Sequence, residues 1–314
     1  MKITSRFLVT AGLLALAPFV AQARIERTVE KTFTVQAGGK LHLETQGGEI
    51  RVAPGADGVV KITAREKIRA DTDHEADEIL KKLDLEFEQT GNDVSATSKY
   101  ERQSVGFHWG SWPPVQVDFI VTVPASFATD LSTSGGGITV GDLNASVRAR
   151  TSGGTIRLGK IGATVDAHTS GGGISLDGAM GEVKLGTSGG NIAVGRVDGP
   201  AHLSTSGGGI KIDSVVGELH ANTSGGNIRA GISGPLKGDC TLSTSGGSVK
   251  VAVDKAAAFH LDASTSGGSV DAGGLTITLE KSNRSRSRLA GAVNGGGPLL
   301  KLRSSGGGID ISAL

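Results

Sequence analysis

The quartet Thr-Ser-Gly-Gly begins at Thr133, Thr151, Thr169, Thr187, Thr205 and Thr223, five consecutive intervals of 18 residues. It returns at Thr244 and Thr265 after intervals of 21, and as Ser304-Ser305-Gly306-Gly307 near the end. A relative, Thr45-Gln46-Gly47-Gly48-Glu49-Ile50, stands much earlier. So regular a period means that each repeat is one supersecondary unit stacked on its neighbours.

Aligned by column, the repeats alternate in polarity. Column 6 reads Ile138, Ile156, Ile174, Ile192, Ile210, Ile228, and column 8 reads Val140, Leu158, Leu176, Val194, Ile212, Ala230. Column 7 between them holds Thr139, Arg157, Ser175, Ala193, Lys211 and Arg229. That is the pattern of a strand with one face buried. A second alternation pairs column 15 (Val147, Val165, Val183, Ala201, Leu219) with column 17 (Ala149, Ala167, Leu185, Leu203, Ala221), and polar residues, His202 and His220 among them, lie between. Each unit therefore holds two short strands, a tight turn at Ser-Gly-Gly, and a second turn over columns 9 to 13. An apolar plug (Leu143, Ile161, Ala179, Val197, Val215) sits at that second turn.

The fold expected is all-β: a parallel β-solenoid, β-helix-like, with two strands per coil and an N-terminal β-rich insertion containing one short helix. The glycines then have a structural task. Gly135 and Gly136, Gly153 and Gly154, Gly171 and Gly172, Gly189 and Gly190, Gly207 and Gly208, and Gly225 and Gly226 are expected to be turn positions where stacked copies leave no room for Cβ and φ > 0 is free. The threonines before them form an inward ladder.

Glycine, 50 of 314 residues, could also signal collagen or disorder. Collagen needs glycine at every third position and abundant proline, and this chain has 8 prolines. Disorder would lack the β-branched apolar residues that fill every repeat. One cysteine, Cys240, excludes an intrachain disulfide framework and reads as a small apolar filler.

Residues 1–23 read as a signal peptide: Lys2 and Arg6 ahead of an apolar run from Phe7 to Val20, then Ala21-Gln22-Ala23. The expected product is exported, periplasmic or secreted, and not membrane-spanning after cleavage. Its removal takes the 32 basic residues to 30 against 31 acidic ones, a balance that gives no electrostatic case for nucleic-acid binding.

Residues 24–130 break the period. Thr32–Val35, Leu41–Thr45, Val59–Arg65 and Val117–Val123 read as strands, and Asp73–Leu83 as an amphipathic helix with Asp71 or Asp73 as N-cap. This region is read as early coils interrupted by an insertion that caps the solenoid. Residues 131–314 are read as the repeat itself, with an irregular insertion near 277–297.

Two groups are candidate ligand or partner contacts. Tyr100, Phe107, Trp109 and Trp112 cluster around GFHWGSWPP, a loop whose aromatics can stack on sugars or close the apolar end of the core. Arg284, Arg286 and Arg288 lie in NRSRSR, a solvated strand face or a site for an anionic lipid or glycan.

No cofactor, metal or catalytic residue is expected. The repeat lacks the aspartate of calcium-binding β-rolls and any phosphate-cradling Gly-x-x-x-x-Gly-Lys. Glu182 and Glu218 share a column two coils apart with Pro200 between them, which is not a converging acid pair. His202 and His220 sit on adjacent coils beside Lys184, without a third ligand.

The exported N-terminus, the Thr/Ser-x-Gly-Gly-x-Ile rungs and the stretch VDFIVTVPASFATDLSTSGGGITV resemble a bacterial group of exported β-strand-repeat domains of unknown function called "putative adhesins". In that group a strand ending in Val-Pro leads into Ser-Gly-Gly rungs, as Val121 to Thr139 does here. The resemblance spans roughly 30–314 and implies a β-helix-like solenoid, with no site residue to carry over. The function expected is a non-enzymatic interaction or scaffold protein of the cell envelope, whose partner is an envelope protein or glycan. Self-association through the solenoid ends is also expected. The alternatives are a carbohydrate-active enzyme on a β-helix, or an accessory in envelope stress or signalling.

Overall fold

Alternation sets the geometry of each coil. In the repeat that starts at Thr151, Ile156, Leu158, Ile161, Val165 and Ala167 are buried while Arg157 and Lys160 are exposed. A one-residue slip would turn the apolar set outward, so the shared pattern fixes the register between coils. Val147, Val165, Val183, Ala201 and Leu219 stand opposite one another on five successive parallel strands. Ile138, Ile156, Ile174, Ile192, Ile210 and Ile228 do so on the other side.

The computed structural model describes residues 24–101 and 113–314. Among the described residues the strands form two long sheets, sheet I with 13 strands and sheet II with 14, around a shared apolar core. Each coil gives one strand to each sheet, and the Ser-Gly-Gly turn carries the chain from sheet II to sheet I. The fold is the expected β-solenoid, nearly all-β, with one helix among the described residues.

The turn chemistry differs from expectation in one respect. None of the twelve expected turn glycines has a φ in the left-handed region; the glycines that do, such as Gly38 and Gly91, lie elsewhere. Close stacking alone demands glycine, and it demands it at the second position. A Cβ on Gly172 would lie 2.1 Å from the Gly154 carbonyl oxygen, whereas one on Gly171 would lie 3.2 Å from the Gly153 oxygen. The Thr ladder points inward: Thr133, Thr151, Thr169, Thr187, Thr205 and Thr223 are all buried. The second turn is also tighter than expected, because strands such as Ile156–Ile161 and Ile192–Val197 run through the apolar plug. Where the period lengthens to 21 after Thr223, the extra residues enter the loop between strands Ile228–Ile232 and Cys240–Thr244, and Ile228 still faces Val249.

Both ends depart from sequential stacking. Near the N-terminus the coil formed by Lys40–Thr45 and Ile50–Pro54 lies inside the stack: Ile50 faces both Phe119 and Ile138, and Leu41 faces both Val94 and Thr129. Antiparallel strands close this end, Arg24–Thr34 on Val59–Arg69 on Val115–Val123 in sheet I, and Leu83–Thr90 on Asp93–Tyr100 in sheet II. At the other end the last coil, Leu299–Ser304 with Ile309–Ala313, is slotted between two earlier ones. Leu300 faces both Cys240 and Leu261, and Ile309 faces both Val249 and Val270. A hairpin of Ile277–Ser285 and Arg288–Val293 covers strand Phe259–Thr265.

The helix is Asp73–Leu80, three residues shorter than expected, because Leu83 opens strand Leu83–Thr90 instead. Its N-cap is Thr72, whose hydroxyl accepts the Glu75 N–H at 3.2 Å, while Glu75 Oε2 accepts the Asp71 N–H at 3.0 Å. Neither aspartate proposed as a cap fills that role, since a threonine followed three residues later by glutamate satisfies two amides reciprocally. The hairpin Leu83–Tyr100 was not expected at all.

Candidate functional site

Stacking converts each outward column into a line of side chains about 4.8 Å apart. Along the Ser-Gly-Gly edge, Ser134, Ser152, Ser170, Ser188 and Ser206 are exposed. Their carbonyls are used between coils, the Ser152 oxygen accepting the Gly171 N–H at 3.0 Å and the Ser170 oxygen the Gly189 N–H at 3.0 Å, which leaves a rail of hydroxyls at the surface. Parallel to it on sheet II run Asp130, Arg148, Asp166, Lys184, His202 and His220, each opposite the next.

Between rail and column lies an open groove of about 840 Å³. Arg150, His168, Gly186 and Ser204 are among the residues that line it. His168 leans over Gly186, where an added Cβ would come 2.7 Å from the ring.

The charges along the column are matched. Asp166 meets Arg148 at 3.4 Å, Arg150 at 3.2 Å and His168 at 3.0 Å. Glu182 meets Lys184 at 2.8 Å and His202 at 3.8 Å, and Glu218 holds His220 at 2.5 Å. The rings of His202 and His220 stack with centroids 5.1 Å apart and planes 8° from parallel. The sequence placed these two imidazoles together but missed their glutamates. The signal was available: in each repeat the position of Glu182 and Glu218 lies two residues before that of His202 and His220, hence on one face of a strand. Both glutamates are engaged by basic neighbours, and no group of three or more His, Cys, Asp or Glu suited to a metal occurs among the described residues.

The groups singled out from the sequence fall elsewhere. Tyr100 ends strand Asp93–Tyr100, packs into the core at 8% exposure, and its backbone N–H donates to Gln46 Oε1 at 3.0 Å; burial pushes its phenol up. Phe107, Trp109 and Trp112 lie outside the described residues, as do residues 1–23. Arg284 lies in strand Ile277–Ser285, and Arg286 and Arg288 are exposed at the tip of that hairpin. The tip's backbone closes on the coil beneath it, the Arg286 carbonyl accepting the Val270 N–H and the Ser287 carbonyl the Thr265 N–H, each at 2.9 Å. Tyr100 and the arginines sit toward opposite edges of sheet II, so the structure does not bring them together. Cys240 is fully buried. No helix among the described residues is long and apolar enough to cross a membrane.

A stack of near-identical coils that offers a long outer face and an open polar groove defines a β-solenoid repeat protein that presents a surface. Within that class the chain belongs to the Toastrack DUF4097 family, whose model matches residues 39–312. Solved structures similar to it include one described as a "putative cell adhesion protein" from Clostridium sporogenes, 14% identical, covering 92% of this chain and 100% of that one with a TM-score of 0.24. Another is a "putative adhesin" from Bacteroides fragilis, 11% identical, covering 92% and 97% with a TM-score of 0.37. A third, from Parabacteroides distasonis, is described as a "putative lipid binding protein", 11% identical, covering 92% and 96% with a TM-score of 0.35. At these scores the likenesses carry no functional argument. No curated protein matches the chain.

Proposed function

We propose that this protein is an exported, non-enzymatic interaction protein of the bacterial cell envelope, adhesin-like in that it holds an extended partner along the sheet II groove. The observation that supports this most is the groove itself: a rail of serine hydroxyls repeated coil after coil beside a polar column that ends in one stacked pair of imidazoles, with no converging pair of acids in its lining. Repetition suits a partner that is itself extended and repetitive, such as an envelope glycan, and suits poorly a single reacting bond. Residues 1–23 would be the signal that exports it, leaving a mature chain that starts at Arg24.

The test fills the groove. Ser188→Trp with Ser206→Trp fills it from the exposed edge, leaving the core untouched. Binding to purified envelope polysaccharide, followed by interferometry, should fall at least about tenfold, a loss near 1.4 kcal/mol. Unaltered binding would refute the groove assignment, and release of new reducing ends from the glycan would refute the non-enzymatic reading. For export, the protein recovered outside the cytoplasm should begin at Arg24; recovery with Met1 intact would overturn that part.

A further inference from the structure

On sheet II the outward charges alternate in sign from coil to coil, Asp130, Arg148, Asp166, Lys184. Sheet I instead carries a run of like charge in the middle of the stack. Lys211, Arg229 and Lys250 face one another on three consecutive strands, an arrangement that is destabilising when nothing lies between the charges. Lys211 reaches Asp213 at 2.8 Å and Lys250 reaches Asp310 at 3.5 Å, while Arg229 makes no ion pair among the described residues. Both lysine pairs are more than half exposed. Such pairs contribute about 0–1 kcal/mol, so either lysine can exchange its carboxylate for another at little cost.

The neighbouring column sharpens the chemistry. Asn191 Oδ1 accepts the Gly209 N–H at 2.7 Å, and Asn227 Oδ1 accepts the Ser248 N–H at 2.7 Å. Because each partner is a backbone donor, the oxygen and nitrogen of these amides are assigned without ambiguity. What each amide has left is its Nδ2 group, a donor. Asn191, Asn227, Lys211, Arg229, Lys250 and the small Ala193 line an open groove of about 470 Å³. Apart from the two committed amide oxygens, the long polar side chains of this wall have only donors to offer.

We propose that this sheet I groove binds the carboxylates of a linear acidic glycan lying along the solenoid axis. Three cations on successive strands span about 10 Å at the usual strand spacing, which suits a chain bearing several charges better than one free anion. The large apolar residues exposed among the described residues are Met180, Leu279 and Leu314, none of them in this groove, so nothing here would enter a bilayer. The lining contains no aromatic ring on which a nucleobase would stack. The strands beneath are paired on both sides, so no free edge invites an extended peptide. The site stands on its own geometry and goes beyond the reading of the sheet II groove.

The full-length protein is tested against polygalacturonate, with dextran as the uncharged control and phosphatidylglycerol vesicles as a second anionic surface. Binding to polygalacturonate should weaken with salt, as an ionic contact does. It should fall about tenfold or more in Arg229→Ala with Lys250→Ala, and also in Asn227→Asp. The aspartate variant keeps the oxygen that accepts the Ser248 N–H while replacing donors by a negative charge, and an unchanged circular dichroism spectrum and Tm certify its fold. Ser188→Trp with Ser206→Trp should leave this binding intact, which separates failure here from failure of the sheet II reading. Equal binding to dextran, undiminished binding in both sheet I variants, or binding to the vesicles alone would overturn the proposal.

Discussion

Thr169 Oγ1 donates to the Gly154 carbonyl oxygen of the preceding coil at 2.8 Å. The same hydroxyl accepts the Gly172 N–H of its own turn at 3.4 Å, so one buried side chain closes a turn and joins two coils. The contact recurs at Thr151, Thr187, Thr205, Thr223 and Thr244. Ser304 makes it too, donating to the Gly247 oxygen at 2.8 Å and accepting the Gly307 N–H at 3.0 Å, which shows that the column requires the hydroxyl and tolerates loss of the methyl. Thr169→Val keeps the shape and strands both backbone groups, so it should cost about 1–3 kcal/mol. Thr169→Ser should cost less. Urea denaturation of the two variants gives the comparison, and equal losses would deny the hydroxyl its role.

The two glycines of a turn should respond very differently to the same change. Gly190→Ala places a Cβ 2.2 Å from the Gly172 carbonyl oxygen, which is backbone and stacked on both sides, whereas Gly189→Ala places one 3.1 Å from the Gly171 oxygen. The first forces the coils apart and should cost roughly 3 kcal/mol or more, the second about 1 kcal/mol. Thermal unfolding of the pair measures the contrast; equal Tm values would mean that stacking distance is not what selects glycine here.

That contrast marks a limit of what the sequence shows. Columns 6, 8, 15 and 17 were legible because a stacked coil repeats its buried residues at a fixed period, and every buried position expected in the coil from Thr151 to His168 is buried. The order of the coils was not legible. The turns at Thr265 and Ser304 are nearly the same sequence, so no column says that the later coil slots inside the earlier one; that depends on the hairpin of Ile277–Ser285 and Arg288–Val293 turning the chain back. The hairpin Leu83–Tyr100 did leave a signal, an alternating LDLEFEQT and DVSATSKY around Gly91-Asn92, and Gly91 takes a φ of +61° there. The groove was legible as columns and not as a cavity, since only the stacked geometry shows that Arg150, His168, Gly186 and Ser204 line one space with the serine edge.

Cys240 supplies a pH-dependent test of the core. Burial pushes its thiol from the ordinary value near 9 up to about 11, outweighing a backbone hydrogen bond from Leu219 that acts the other way; the thiol also lies 3.9 and 3.7 Å from the Gly217 and Gly238 oxygens. Between those two values the unfolded chain has released this proton and the folded chain has kept it. Unfolding is then favoured as pH rises, by at most about 1.4 kcal/mol per unit; below pH 9 the thiol contributes no slope. Subtracting the stability curve of Cys240→Ala from that of the parent isolates the effect from lysine and tyrosine titration. A flat difference between pH 9 and 11 would contradict burial of the thiol, as would rapid reaction of the native protein with a thiol reagent near neutral pH.

The slotted C-terminal coil makes the end of the chain an interior part of the stack. In an ordinary repeat array, deleting the last coil exposes one new face and leaves a shorter solenoid. Here deletion of residues 298–314 removes the neighbour shared by Cys240–Thr244 and Phe259–Thr265 in sheet II, and by Val249–Val253 and Val270–Gly273 in sheet I. Leu300, Leu302, Ile309 and Ile311, all buried, go with it, and two coils face a gap one strand wide. Either they close that gap by shifting, against the turn that joins them, or residues beyond Val253 detach. Limited proteolysis of the truncated protein should therefore cut between Asp254 and Ala258 well before the parent is cut, while the coils from Thr133 to Thr223 stay protected. Cleavage no faster than in the parent would show that the outer coil holds without the inserted one.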